Sequence, residues 1–111
     1  MAPRLTAGLW VSAYLHRLEQ AAIPAFVTAR GDEVAGAVIV KLATLDGRAC
    51  AWERSVDLLT GGRRWMVLAE GEEPGVDATL ARARARDPDL WLIEIEDRHG
   101  RTLLDQPGLA D

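Results

Sequence analysis

Gly36-Ala-Val-Ile-Val-Lys-Leu-Ala-Thr-Leu-Asp-Gly-Arg-Ala-Cys-Ala-Trp52 is the stretch whose reading decides the fold. Its first ten residues, Gly36 to Leu45, are rich in β-branched and apolar side chains on both faces, the pattern of a strand with neighbours on either side. Asp46-Gly47 is a two-residue hairpin signal, because both positions tolerate positive φ and strand-like runs flank them. The return strand starts near Arg48, alternates Cys50, Trp52 and Arg54 with Ala49, Ala51 and Glu53, and extends as far as Val56. Thr60-Gly61-Gly62 then turns the chain into a further strand, Arg63 to Ala69.

Upstream of this hairpin, Thr6 is a candidate N-cap. Ala7, Trp10, Val11, Tyr14, Leu15, Leu18 and Ala22 recur at helical spacing after it, which predicts an amphipathic helix ending just ahead of Pro24. Leu9 falls among its polar residues. The apolar stretch after Arg4, with a faint resemblance to a signal cleavage site at Val11-Ser12-Ala13, reads better as this helix than as an export signal. Pro24 to Arg30 is a short strand and Gly31-Asp32 a turn. Downstream, Val76 to Arg86 forms a second helix with a thin stripe of Val76, Leu80 and Ala83, preceded by acidic Glu72 and Glu73 and stopped by Pro88. Leu90 to Glu96 forms the closing strand, with Trp91, Ile93 and Ile95 on one face. Arg101 to Leu104 is expected to add an edge strand, and the tail 105–111 to fray. The fold class is therefore α+β: an N-terminal helix, an antiparallel meander of about four strands, a second helix and a final strand.

A chain of 111 residues has room for one core, so 1–111 is expected to be a single domain. One cysteine, Cys50, permits no disulfide framework and no cysteine-based zinc site, which points to a reducing cytoplasm. No run reaches the ~20 apolar residues of a membrane span. A net charge of −4 is the wrong sign for a general phosphate-backbone binder. Nucleic-acid contact through Arg63, Arg64, Arg82 and Arg86 would require all four on one face.

The order of elements overlaps the restriction-endonuclease-like nucleases, with Asp32 or Asp46 and then Glu53 as carboxylates. Glu53 is followed by Arg54-Ser55, however, and Lys41 is the only lysine, so the acidic-x-Lys triplet is missing. Val27-Thr-Ala-Arg-Gly-Asp-Glu-Val-Ala-Gly-Ala-Val-Ile-Val40 resembles the central hairpin of GCN5-related acetyltransferases. Those enzymes cradle a pyrophosphate on a glycine-containing loop, where this chain has the repelling Glu70-Gly-Glu-Glu-Pro-Gly75. Cys50 sits mid-strand without a base, His16 and His99 read as surface residues, and His99 with Asp97, Glu94 and Glu96 lacks metal-ligand spacing. No catalytic residue, metal site or cofactor is expected.

Four tryptophans are many for this length. Trp10 and Trp91 fall on core stripes, while Trp52 and Trp65 lie on two strands of one hairpin near Arg54, Arg63 and Arg64. That group is either a packed face with snorkelling arginines or an interaction surface of hot-spot composition. It defines the candidate binding residues: Trp52, Arg54, Arg63, Arg64 and Trp65. The leading expectation is a non-enzymatic interaction or binding domain, with a homodimer or a protein partner. The alternative is a small hydrolase or transferase using Glu53, Glu94 and Glu96, which would have to share a concave pocket.

Arg4-Leu-Thr-Ala-Gly-Leu-Trp-Val-Ser-Ala13, Arg30-Gly-Asp32 with Gly36-Ala-Val-Ile-Val-Lys-Leu42, Arg64-Trp-Met66, Asp87-Pro-Asp-Leu-Trp91 and Glu94-Ile-Glu-Asp-Arg98 together give the chain its likeness to a known group. Across nearly its whole length it resembles the bacterial family called domain of unknown function 1491. The resemblance implies a one-domain bacterial protein, and it assigns no catalytic role to any residue.

Overall fold

Helix α1, Ala7–Gln20, forms because Trp10, Val11, Tyr14 and Leu18 recur every three to four residues and bury one stripe against the sheet. The computed structural model describes residues 5–110, so Arg4 lies outside the described residues. Thr6 stands at the N-cap in extended backbone, although its hydroxyl makes no capping bond. Ala22, at φ 58°, turns the chain out of the helix, and strand β1 follows as Ala25–Ala29.

Strand β2, Val38–Ala43, is buried at every position, as its two-sided apolar run requires. Strand β3, Arg48–Val56, pairs with it antiparallel from Ile39↔Glu53 to Ala43↔Ala49. The turn is wider than the two residues expected: Leu45, Asp46 and Gly47 make it, with Leu45 at φ 63° and Gly47 at φ 87°. The Asp46 carboxylate accepts from Thr44 Oγ1 at 2.6 Å and Arg48 N at 3.1 Å, and these bonds stabilise the longer loop. Strand β4 runs Arg63–Glu72, past the expected end at Ala69, because Cys50 to Arg48 continue to offer ladder partners to Glu70–Glu72.

Helix α2, Glu73–Arg86, starts directly after β4 with Pro74 in its first turn, three residues before the expected Val76. Strand β5, Trp91–Glu96, then enters the middle of the sheet. The order is β1-β5-β2-β3-β4, with β5 antiparallel to β1 and parallel to β2. The sheet is therefore mixed, not a simple antiparallel meander. Ile93 and Ile95 stand in register with Val40 and Leu42 and are as buried as those residues, while Leu92, Glu94 and Glu96 on the other face of β5 keep partial contact with water.

The two sheet faces carry separate cores. One joins α1 to Val38, Val40, Leu42, Trp91, Ile93 and Ile95; the other joins Val76 and Leu80 of α2 to Ile39, Ala49 and Ala51. Each fully buried aliphatic or aromatic side chain contributes about 1.5–3 kcal/mol. The expected edge strand at Arg101–Leu104 is absent from the described structure. Asp97 is buried and instead takes the Arg101 backbone N–H at 2.7 Å and its guanidinium at 3.1 Å, which holds that segment in a turn. The arginine keeps the Asp97 carboxyl below the usual carboxylate range. The tail expected to fray folds back, with Leu104 and Leu109 buried on the α1 face.

Candidate functional site

The β3–β4 hairpin carries the five candidate binding residues. Pairing of β3 with β2 stops at Glu53, whereas pairing with β4 continues through Arg54↔Trp65 to Val56↔Arg63. The hairpin thus outruns its neighbour and ends in the loop Asp57–Gly62. There Asp57 accepts from Leu59 N at 2.8 Å and also receives Gly61 N on its carbonyl at 2.8 Å. Leu58 and Leu59, at the tip of this loop, are 94% and 96% exposed.

Strand alternation divides the arginines. Arg54 and Trp65 face α1, and the Arg54 guanidinium lies 4.3 Å from the Trp10 ring and 4.8 Å from the Trp65 ring. The two indoles are themselves 5.4 Å apart, and Trp65 Nε1 donates to the Leu109 carbonyl at 2.7 Å. Trp52 is half-buried against the same core, opposite Val67 and not opposite Trp65, because an extra β4 residue shifts the register beside it. These three residues therefore pack into the fold. Arg63 and Arg64, as sequence neighbours on one strand, point to opposite faces. Arg64 is exposed, and the single-face arrangement of Arg63, Arg64, Arg82 and Arg86 is not formed. On this hairpin the open apolar surface belongs to Val56, Leu58, Leu59, Met66 and Val67, and on α1 Leu9, a contact candidate from its place among polar residues, is exposed as well. The signal for the hairpin surface lay in Leu58-Leu59 inside a turn otherwise built of Asp57, Thr60, Gly61 and Gly62.

A cavity of about 400 Å³ opens where β2 begins, bounded by Trp10, Val38, Ile39, Arg54, Arg63 and Arg86. Glu53 and Asp87 also line it, so its charge is mixed. The carboxylates named for the catalytic alternative do not share it. Glu53 borders this cavity, whereas Glu94 is bound by Lys41 further along the same face of the sheet and Glu96 lies two residues beyond it on β5, neither of them lining the cavity. Cys50 is half-buried beside Glu70, and burial together with that carboxylate pushes its thiol up to about 11. At neutral pH it is a protonated, poor nucleophile. His16 and His99 are exposed.

The polar feature missed in the sequence is Lys41. Its ammonium is buried on the α2 face and meets Asp77 at 2.6 Å, Glu73 at 2.7 Å and Glu94 at 3.2 Å. Burial alone would depress its pKa, but the three carboxylates outweigh burial and hold it above the ordinary lysine value. One lysine in an apolar strand, together with Glu73 and Asp77 four apart on a helix, is the signal that anticipates it. Among the described residues no group of three or more His, Cys, Asp or Glu is placed to hold a metal ion, and no helix is long and apolar enough to cross a membrane.

A family model described as "Protein of unknown function (DUF1491)" matches residues 5–105. The chain belongs to the DUF1491 family. The crystal structure of a DUF1491 family protein from Caulobacter crescentus CB15 is 37% identical, with 95% of this chain and 97% of that one covered and a TM-score of 0.81. The solution structure of a DUF1491 family protein from the same organism is 38% identical, covers 96% and 97%, and has a TM-score of 0.82. A protein from A. tumefaciens, also solved in solution, is 33% identical over 95% and 98% with a TM-score of 0.76. Among curated proteins none matches.

Several stretches that carry the DUF1491 likeness meet at one place. Asp32 N donates to the Asp89 carbonyl at 3.0 Å, Trp91 Nε1 donates to the Asp32 carbonyl at 2.8 Å, and Arg30 stacks 5.2 Å from the Trp91 ring. Arg84 of α2 reaches the Arg30 carbonyl at 3.0 Å. Arg30-Gly-Asp32 and Asp87-Pro-Asp-Leu-Trp91 therefore form a latch that fixes where β5 enters the sheet.

Proposed function

We propose that this DUF1491 protein is a non-enzymatic interaction domain of the cytoplasm that binds a protein partner through the projecting end of its β3–β4 hairpin. One observation carries the reading: Leu58 and Leu59 stand almost fully in water at the tip of a hairpin that overhangs the sheet. Exposed leucines at a loop tip contribute nothing to the core, and contiguous exposed apolar surface of this kind is what partner binding uses. Arg64 beside the tip supplies the polar rim such a contact needs. Glu94 and Glu96 do not line the cavity that Glu53 borders, which disfavours the hydrolase or transferase alternative.

A photo-crosslinking amino acid placed at position 58 tests the reading in native cells, with position 81 on the exposed side of α2 as control. Position 58 should give an adduct of one discrete mass that position 81 lacks, and Leu59→Ser should abolish it without changing the melting temperature. Equal smearing from both positions, or no adduct from either, would count against a partner at the tip.

A further inference from the structure

We infer that two copies of this chain join through their β4 strands, edge to edge and antiparallel, about a two-fold axis at the Val67–Leu68 junction. The inference rests on the reading of the chain as an interaction domain but uses a different surface from the leucine tip.

Strand β4 is one edge of the sheet, so one side of its ten-residue backbone has no ladder partner among the described residues. Natural edges of that length are blunted by proline, by lysine, by inward charges or by a bulge at mid-strand. Of these, Arg63-Arg-Trp-Met-Val-Leu-Ala-Glu-Gly-Glu72 has only the bulge at Leu68 in its centre, where Met66 and Val67 are 40% and 52% exposed. Its charge is sorted by end, with arginines at the start and glutamates at the finish. A two-fold contact needs a surface complementary to itself. Antiparallel self-pairing provides it, because the basic start of one strand lies against the acidic finish of the other.

The register follows from the bulge. Arg63, Trp65, Val67, Glu70 and Glu72 oppose Val56, Arg54, Trp52, Cys50 and Arg48, alternate residues of β3, so they share one face and one backbone orientation. Without the extra residue at Leu68, Arg63 and Glu72 would fall on opposite faces. With it, the pairing Arg63↔Glu72, Arg64↔Gly71, Trp65↔Glu70 and Met66↔Ala69 matches face with face throughout, and the two bulges meet at the axis. Strand β1, the opposite edge, is five residues long, also bulged and uncharged, so it offers no such register. Pairing through β4 yields one ten-stranded sheet with β1 at both outer edges and each Leu58-Leu59 tip at a strand-end rim beside Glu72 of the other copy.

Charge reversal by ends tests this. Light scattering on a sizing column at about 100 µM should give twice the chain mass for the wild type. R63E/R64E and E70R/E72R should each weaken the dimer by at least about tenfold, since like charges then oppose each other across the strands. An equimolar mixture of the two variants should restore a dimer holding one of each, which also shows that both fold. A monomeric wild type, a dimer indifferent to both reversals, or a mixture that stays monomeric overturns the proposal. Crosslinking at position 58 is repeated in R63E/R64E: an adduct that persists there belongs to the tip contact and one that disappears with the dimer belongs to the edge contact, so failure of either is told apart.

Discussion

Lys41 shows how one side chain holds an element in place. It rises from the centre of β2, yet two of its three carboxylates come from α2 and the third from β5, so the ammonium ties three elements on one face. Removing one member of a buried ion cluster leaves the others uncompensated, at a cost of about 3–5 kcal/mol when burial is complete. Glu73, Asp77 and Glu94 each keep some contact with water. We therefore expect Lys41→Met to lose about 3 kcal/mol in urea unfolding at pH 7, with part of it regained on adding Glu94→Gln. The pH dependence has a definite sign. The lysine pKa is raised in the folded state, so its contribution is complete below the unfolded value of about 10.4 and is lost as pH rises through the folded value. Wild-type stability should fall above that pH more steeply than that of Lys41→Met. Arg54, by contrast, belongs to packing: its guanidinium lies over Trp10 and Trp65 with nitrogens buried, where a snorkelling arginine would hold them in water.

Among the elements, the loop between β1 and β2 does more than connect them. A Cβ on Gly31 would meet the Asp89 carbonyl oxygen at 2.1 Å and Trp91 Cδ1 at 2.6 Å, so the loop touches the start of β5 backbone to backbone. Gly31→Ala forces that latch apart and should cost about 1–3 kcal/mol, the range for overpacking a tight contact. Thermal melting of the variant measures it, and an unchanged midpoint would mean the latch is dispensable. The helices and most strand cores were legible because their signals are local: the Trp10, Tyr14, Leu18 stripe, the β-branched run Val38–Val40, the Pro88 stop. The packing of the tail is not legible, for the opposite reason. Leu109 is held by Trp65 Nε1 from forty-four positions away in sequence, a contact that no local pattern announces.

At the scale of the molecule, strand order was the part beyond reach. Trp91, Ile93 and Ile95 read as one buried face whether β5 lies at an edge or at the centre. What places it parallel to β2 is the joint demand of the Asp32–Asp89 latch, the Lys41–Glu94 bond and two helices on opposite faces. A chain ending at residue 89 keeps both helices and four strands, but β1 then has no ladder partner. We expect that chain to melt without a cooperative transition in circular dichroism, while full-length protein gives a single sigmoid. A sharp melt in the shortened chain would show that β2–β4 and the helices are sufficient alone.

Completion of the sheet by its last strand also bears on birth at the ribosome. Strand β1 emerges about 60 residues ahead of β5, the one strand that pairs with it among the described residues. At bacterial-like elongation rates of roughly 5–20 residues per second, Phe26 and Val27 wait roughly 3–12 seconds beside an unfilled gap. During that interval the nascent chain presents two open strand edges where the finished sheet has none. The sheet therefore closes around that gap only once translation has reached Glu96.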